Sequence, residues 1–234
     1  MCNIYIDNMR KLCFAFAFFA VSYSANAQTS SYIHQEPSSG GSSIMIAVSG
    51  IDDAEGDVYF KEAEKNERTG DFNDAITLFG KAAFEYNSSG NFSRYGASLL
   101  RLSNVHYLME HYTEAEQVVL NVALKTYSRL GNRTGQMASY SQLGKIYLAA
   151  NKLTQSMWFY TQQGILARQT SNNMSYIDSM LGVAQVKIRK KEFTMATKDI
   201  NRAETFAKNS NIKSFNKQIK QARSAIAEKK SSAK

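Results

Sequence analysis

The chain has 234 residues, 44% of them hydrophobic and 21% charged, with a formal net charge of +8. That balance excludes wholesale disorder and collagen-like sequence. A single proline, Pro37, stands where average usage would place roughly a dozen, so β-sandwiches and barrels with Gly/Pro turns are disfavoured and an all-α chain is expected.

The first segment reads as an address. Arg10 and Lys11 precede ten apolar residues at 12–21, and Ala25-Asn26-Ala27 follows. A basic start, a short apolar run and a small-x-small exit predict a signal peptide over residues 1–27, cleaved after Ala27. Ten residues are too few to cross a hydrocarbon layer of about 30 Å. The expectation is an exported chain, periplasmic or extracellular. Both cysteines, Cys2 and Cys13, fall inside this segment. The remainder therefore holds no disulfide framework, zinc ribbon or thiol nucleophile, and packing alone must stabilise it. Cys13 opens the apolar run instead of closing it, which does not suit lipidation. Residues 28–50, with serine-rich patches at 30–31 and 38–43, predict a flexible tether. Within it, residues 44–48 suit either a short strand or a lead-in to the first helix.

From residue 51 a repeat emerges. Ala75, Ala115, Ser156 and Ala196 are small residues 40, 41 and 40 apart, each three after an aromatic or leucine. Twelve residues before each sits another small residue: Ala63, Ser103, Gly144 and Ala184. Four residues after each sits a bulky one: Phe79, Val119, Tyr160 and Ile200. Three columns sharing one period predict a helix pair per unit, with small residues where the two helices approach closely. The units run over about 52–90, 91–131, 132–171 and 172–210. Gly90-Asn91, Gly131-Asn132, Ser171 to Asn173 and Asn209 to Asn211 mark the seams. Gly and Asn suit a left-handed helix end, and Asn or Ser caps the next helix. Apolar residues between seams keep helical spacing, as in Tyr140, Leu143, Ile146 and Tyr147. Trp158 reads as core of its helix. Residues 211–234 predict a capping helix with a basic tail, its apolar stripe being Ile212, Phe215, Ile219, Ala222 and Ile226. A solenoid needs such a terminal cover with a polar outer face.

These columns resemble the tetratricopeptide repeat family, in the longer variant of about 40 residues that lacks the inter-repeat proline. The third unit carries the helix signature most fully, in Leu143-Gly144-Lys145-Ile146-Tyr147. The resemblance implies an α-solenoid of about four antiparallel helix pairs plus a C-terminal capping helix. Unit one departs at Glu62 and Asn66, where Leu and Tyr are usual; His106 and Lys187 replace that Tyr in units two and four.

Signatures of catalysis are missing from the sequence. Gly80-Lys81 and Gly144-Lys145 lack the Ser/Thr of a phosphate-binding loop, and there is no GxGxxG or GxSxG. His106 and His111 are five apart, not the four of a helical zinc pair. Asp52, Asp53 and Glu55 open the first helix, where acids complement the dipole. No enzyme activity, metal or cofactor is expected.

The resemblance places the first helix of each pair on the concave side and implies a groove. Its lining would be Phe60, Glu64 and Glu67 in unit one and Arg101, Asn104 and Tyr107 in unit two. Units three and four would add Gln142, Lys145 and Leu148, then Gln185, Ile188 and Arg189. A clamp for a terminal carboxylate is not supported, because Phe60, Leu100 and Ser141 stand where lysine is wanted. Amides, Arg and Tyr still suit a polypeptide, extended or helical. The expected function is a non-catalytic protein-interaction scaffold. The alternative is binding of an anionic polymer or membrane surface through the basic C-terminal helix, with nucleic acid disfavoured by export and by the lack of aromatics among those lysines. Charge is graded along the chain: −7 over residues 51–120, +5 over 121–186 and +10 over 187–234. Such polarity would also favour head-to-tail self-association.

Overall fold

The computed structural model describes residues 53–231. The expected signal peptide, the expected tether with its segment 44–48, and the last three residues of the basic tail lie outside the described residues.

Eight helical rods pair off as the columns require, and a ninth covers the end. Unit one is α1 (Ala54–Thr69) with α2 (Phe72–Ser88). Unit two opens with α3 (Phe92–Leu108); its second rod runs unbroken through α4 (Tyr112–Gln117), a π turn (Val118–Ala123) and α5 (Leu124–Arg129). Unit three is α6 (Arg133–Ala149) with α7 (Leu153–Gln169), and unit four is α8 (Asn173–Arg189) with α9 (Phe193–Asn209). The cap is α10 (Asn216–Ser231). The π turn explains the one spacing of 41. Unit two carries one residue more than its neighbours, and a wider turn absorbs it inside the helix without shifting the register on either side.

All three columns are buried. Ala63, Ala75, Ala115, Ala184 and Ala196 are fully enclosed, as are Phe79, Val119 and Ile200. Where serine replaces alanine the hydroxyl is used: Ser103 Oγ donates to the carbonyl of Ala115 (2.9 Å), and Ser156 Oγ to that of Gly144 (2.7 Å). Each bond joins the two small residues of one unit, so the paired backbones touch and the hydroxyl is satisfied despite burial.

The connections obey a shorter period than the sequence columns suggest. Gly70, Gly90, Glu110, Gly131, Asn151, Ser171, Lys191 and Asn211 all have positive φ, one in every link. In all links but that at Gly90, the next residue donates its N–H to the carbonyl five back, as in Asn132 to Tyr127 (2.9 Å) and Glu192 to Lys187 (2.9 Å). This is the closing bond of a Schellman turn. Bends within units and seams between units are thus the same turn, repeated every 20 or 21 residues. Proline would remove the N–H that such a turn spends. The expected Asn caps are present on the first helices: Asn91, Asn132 and Asn172 accept from Arg94, Gly135 and Ser175 N–H groups at 2.9–3.2 Å. Glu110 and Lys191 occupy the left-handed position without glycine, at φ 61° and 63°. Lys191→Gly should therefore stabilise the fold by about 0.5–1 kcal/mol, and Gly131→Ala should cost a similar amount. Urea unfolding midpoints check both signs; an unchanged or lowered midpoint for Lys191→Gly rejects the strain argument.

The core is continuous but built locally. One cluster joins Ala63, Ala75 and Phe79 of unit one to Val105 of unit two. The next joins Ala115 and Val119 to Leu143, Ile146, Tyr147 and Phe159. The last joins Ile177, Leu181, Ile188, Ile200 and Ala203 to Ile219, Ala222 and Ile226 of α10. The cap occupies the place a further first helix would take, and its side chains complete unit four. At the other end, Glu62 holds the register of Leu102, Leu143 and Val183, and Lys65 that of Val105 and Ile146. Those apolar residues pack on the preceding unit. Glu62, one of the two departures in unit one, and Lys65 are exposed and make a polar face on α1, while Asn66, the other departure, is half-buried.

Trp158 corrects one expectation: it is 52% exposed, not core. Its register along the second helix is that of Thr77, Gln117 and Lys198, all exposed. Phe159 takes the inward place and stacks on Tyr147 (5.2 Å, 5° between planes). Trp158 leans edge-on against Phe159 at 4.7 Å.

Candidate functional site: the inner face

Successive first helices touch one another, α3 with α6, α6 with α8 and α8 with α10, while the second helices of adjacent units share no comparable contact. The stack therefore curves with the first helices inside, and the candidate groove residues lie on that side.

In units one and two the candidates bind each other. Arg101 pairs with Glu67 (2.6 Å) and Glu64 (3.4 Å), and Asn104 Nδ2 donates to Glu67 Oε1 (2.6 Å). The Arg101 guanidinium also lies 5.6 Å over the Phe79 ring, against which Phe60 packs edge-on at 5.3 Å. Five of the six candidates in this half, Phe60, Glu64, Glu67, Arg101 and Asn104, are thus joined in one network, which ties unit one to unit two. Tyr107 packs 6.1 Å from Tyr112, and burial pushes its phenol up. Arg189 of unit four acts against that shift through its charge, so the inner face brings the two units within electrostatic reach. Nearby, Asp57 accepts from Tyr86 Oη (2.5 Å) and pairs with Arg94. Hydrogen bonds from Ser89 and Asn91 hold the Asp53 carboxyl below the usual carboxylate range. Of the acids in the first two units, Glu116 pairs with a cation of unit three, Lys152 (3.6 Å).

Units three and four differ. Gln142 is buried, and its Nε2 has no hydrogen-bond partner. Ser141 Oγ (2.7 Å) and Gln163 Nε2 (2.8 Å) both donate to Asp178 Oδ2, a polar tie between α6, α7 and α8. Lys145 is exposed. Leu148, Gln185, Ile188 and Arg189 converge on a cleft of about 320 Å³ between unit four and the cap. Its opposite wall was not expected from the sequence: Gln218, Gln221, Ala222, Ala225 and Lys229 of α10. Their spacing is itself a helical stripe, which the cap's stronger apolar stripe obscures. Ile188 is a floor residue, almost fully buried. Lys145, Arg189 and Lys229 enter no ion pair among the described residues.

His106 and His111 lie 6.1 Å apart by ring centres. Burial pushes His106 down from its ordinary value, and its Nδ1 is enclosed without a partner. Among the described residues no three His, Cys, Asp or Glu side chains group to hold a metal ion, and no helix is long and apolar enough to cross a membrane.

Paired helices in one linear stack, curved with the first helices inside and closed by a cover helix, define an α-solenoid of helix-hairpin repeats. The protein has the TPR-like fold: it is similar in structure to BtubC (BKLC) from P. vanneervenii (TM-score 0.59, 15% identity, 67% of this chain and 64% of that one). It is also similar to the apo form of RapI (TM-score 0.61, 11% identity, 77% and 71%). A third likeness is to the nearly identical TPR-like repeats of a putative kinesin light chain from Podosopora anserina (TM-score 0.59, 12% identity, 76% and 86%). The chain spans just under two thirds of the length of BtubC, and at these identities the likeness is one of fold. No family model and no curated protein matches the sequence.

Proposed function

We propose that this protein is an exported, non-catalytic scaffold that holds a polypeptide partner on the inner face of its C-terminal half. The observation that carries the reading is the cleft between unit four and α10. Leu148, Ile188, Ala222 and Ala225 supply an apolar seat, Gln185, Gln218 and Gln221 supply amides for a peptide backbone, and Arg189 and Lys229 supply unpaired cations. Cations free of internal acids favour a partner with acidic side chains. The network around Glu67 and Arg101 makes the N-terminal half a brace for the curve instead of a docking surface, because a ligand there would have to displace existing ion pairs.

The experiment is cross-linking with mass spectrometry on protein recovered from the extracytoplasmic fraction of its host. Expected are a chain beginning at Gln28 and cross-links from Lys145 or Lys229 to one polypeptide, with recovery falling about tenfold or more in Arg189→Glu/Lys229→Glu. A chain still beginning at Met1 removes the export reading. Recovery of no polypeptide, or recovery unaltered by the double substitution, removes the cleft. The alternative, an anionic surface bound by the C-terminal segment, rests on exposed Lys213 ahead of α10 and on Lys217, Lys220 and Lys229 within it, while Arg223 is paired with Glu204. Ile219 and Ile226 are committed to the core, which leaves α10 no large apolar side chain to enter a lipid interface. Head-to-tail stacking gains little from the end of α1, where Lys65 stands beside Glu55 and Glu62.

A further inference from the structure

The face of α8 turned away from the inner cleft carries a second, larger recess. Tyr176, Ser179, Met180 and Val183 of α8 form its floor, α7 one wall and α9 the other, and its volume is about 600 Å³. On a helix of 100° per residue these floor positions lie roughly opposite Gln185 and Arg189, so the two sites are separate. The recess is continuous with a smaller hollow of about 340 Å³ that shares Tyr176, Met180 and Arg202 and extends to Phe206 and Asn209. From Asp199 to Asn209 the groove runs about 15 Å along α9. Its size falls in the range of small-molecule sites, about 300–1,000 Å³.

What the groove offers a ligand is restricted. Three of its polar groups are committed. Thr161 Oγ1 donates to the Met157 carbonyl (2.8 Å), Ser179 Oγ to the Tyr176 carbonyl (2.7 Å), and Asp199 is neutralised by Lys187 at 2.5 Å. The amides left over, Gln169 and Asn209, stand at the ends of α7 and α9, so the floor at Met180 and Val183 offers little to a peptide backbone, whose groups are costly to bury unpaired. Two cations remain. Arg168 on the α7 wall lies 6.0 Å over the Tyr176 ring, and Arg202 on the α9 wall has no ion-pair partner among the described residues. Ile165 stands 47% exposed at the rim. Gly164 keeps the wall thin: a Cβ there would lie 2.7 Å from Ser179 Oγ.

We propose that this outer groove binds a single-chain anionic amphiphile, its apolar chain on Ile165, Met180 and Val183 and its carboxylate or phosphate head held by Arg168 and Arg202. An alkyl chain needs no hydrogen bonds along the floor. The head needs two donors that the fold leaves unused. The inference does not depend on the inner cleft having a polypeptide partner.

The test is calorimetric titration of the purified full chain with monomeric dodecanoate, with dodecanol as the uncharged control and fluorescence of Trp158, the single tryptophan, as a second readout. Saturable 1:1 binding of dodecanoate is expected, weaker for dodecanol. Arg168→Gln/Arg202→Gln should weaken dodecanoate about tenfold or more, as should Ile165→Glu, which places an anion at the rim. Circular dichroism and melting of each variant must match the parent, and Arg189→Glu/Lys229→Glu should leave dodecanoate binding unchanged. Absence of binding overturns the proposal, as does multi-site binding, equal affinity for dodecanol, or indifference to the arginine and Ile165 variants. A polypeptide whose capture is abolished by Ile165→Glu while dodecanoate is ignored would equally reject an amphiphile as occupant.

Discussion

Gly182→Ala will destabilise this protein, although alanine in place of a mid-helix glycine is worth about 1 kcal/mol in helix propensity. The reason is the Tyr160 ring. It projects from α7 into a slot whose sides are the backbones of α6 and α8. A Cβ on Gly182 would lie 2.3 Å from the ring and one on Gly144 2.7 Å from it on the other side. The ring is 2% exposed, and burial drives its phenol well above the usual range. With backbone on both faces it cannot move aside. Overpacking of this kind costs about 1–3 kcal/mol, enough to reverse the propensity gain. Tyr160→Ala should cost about 3–5 kcal/mol by emptying the slot. The diagnostic is the combination. In a Tyr160→Leu background the obstacle is gone, so Gly182→Ala should become neutral or stabilising, a coupling that a double-mutant cycle in urea measures directly. Independent, additive effects would show that the slot does not govern the approach of α6 and α8. Because each unit contacts only its neighbours, the loss should also be local. Amide exchange should accelerate in α8, α9 and α10 of Tyr160→Ala while α1 and α2 keep their protection.

The same device appears one unit earlier, where Tyr127 lies between Gly96 and Gly135; Cβ atoms there would come within 2.6 and 2.2 Å of its ring. Burial pushes that phenol up to about 12. A large ring from a second helix, clasped by glycines of two successive first helices, draws the first helices together and sets the inward curve. The sequence shows these tyrosines and glycines, but their partnership is invisible in it. Gly96 and Gly135 are 39 residues apart, out of step with the 40 and 41 of the columns, because each touches a different side of one ring.

That contrast separates what was legible from what was not. The small-residue columns, the Asn caps at 91, 132 and 172 and the stripe Ile219, Ala222 and Ile226 of α10 are one-dimensional patterns, set by helical period and turn chemistry, and all were readable, although α10 begins at Asn216, so that Ile212 and Phe215 of the expected stripe precede it. The turns within units were only half readable: Gly70 announces a left-handed residue, whereas Glu110 and Lys191 adopt the same conformation without a residue type that advertises it. Trp158 departs from the expectation because register, not hydrophobicity, places a residue on a helix face, and its register is that of exposed Thr77, Gln117 and Lys198. The family positions carried to Glu64, Glu67, Arg101 and Asn104 come together between α1 and α3. That they pair with one another depends on rotamers and on the distance between α1 and α3, which residue spacing does not encode. The cleft at α10 is not legible because its glutamines and alanines gain meaning only once α10 lies against Gln185 and Arg189 of α8.

Lys187 and Asp199 supply the second large effect. They stand in the register of Tyr147 and Phe159: in unit three the two helices are joined there by stacked rings, in unit four by an ion pair of 2.5 Å, with side chains 17% and 15% exposed. Removing one partner leaves a nearly buried charge unpaired. Asp199→Ala and Lys187→Ala should therefore each cost about 2–3 kcal/mol, toward the low end for buried pairs because some solvent reaches them. Replacing both, as Lys187→Tyr/Asp199→Phe, recreates the pair that unit three already uses and should return stability to the parental level or above, since well-packed apolar groups often match or exceed a buried ion pair. Urea midpoints of the three variants, at low and high salt, decide the matter. A double variant less stable than either single would show that unit four cannot house the rings, and that the pair is there for packing. Recovery by the double variant would show that stability does not require the charges. Their remaining effect is then local: Lys187 neutralises the one carboxylate on the wall of the outer groove, which leaves Arg168 and Arg202 to set the sign of the field that a ligand meets.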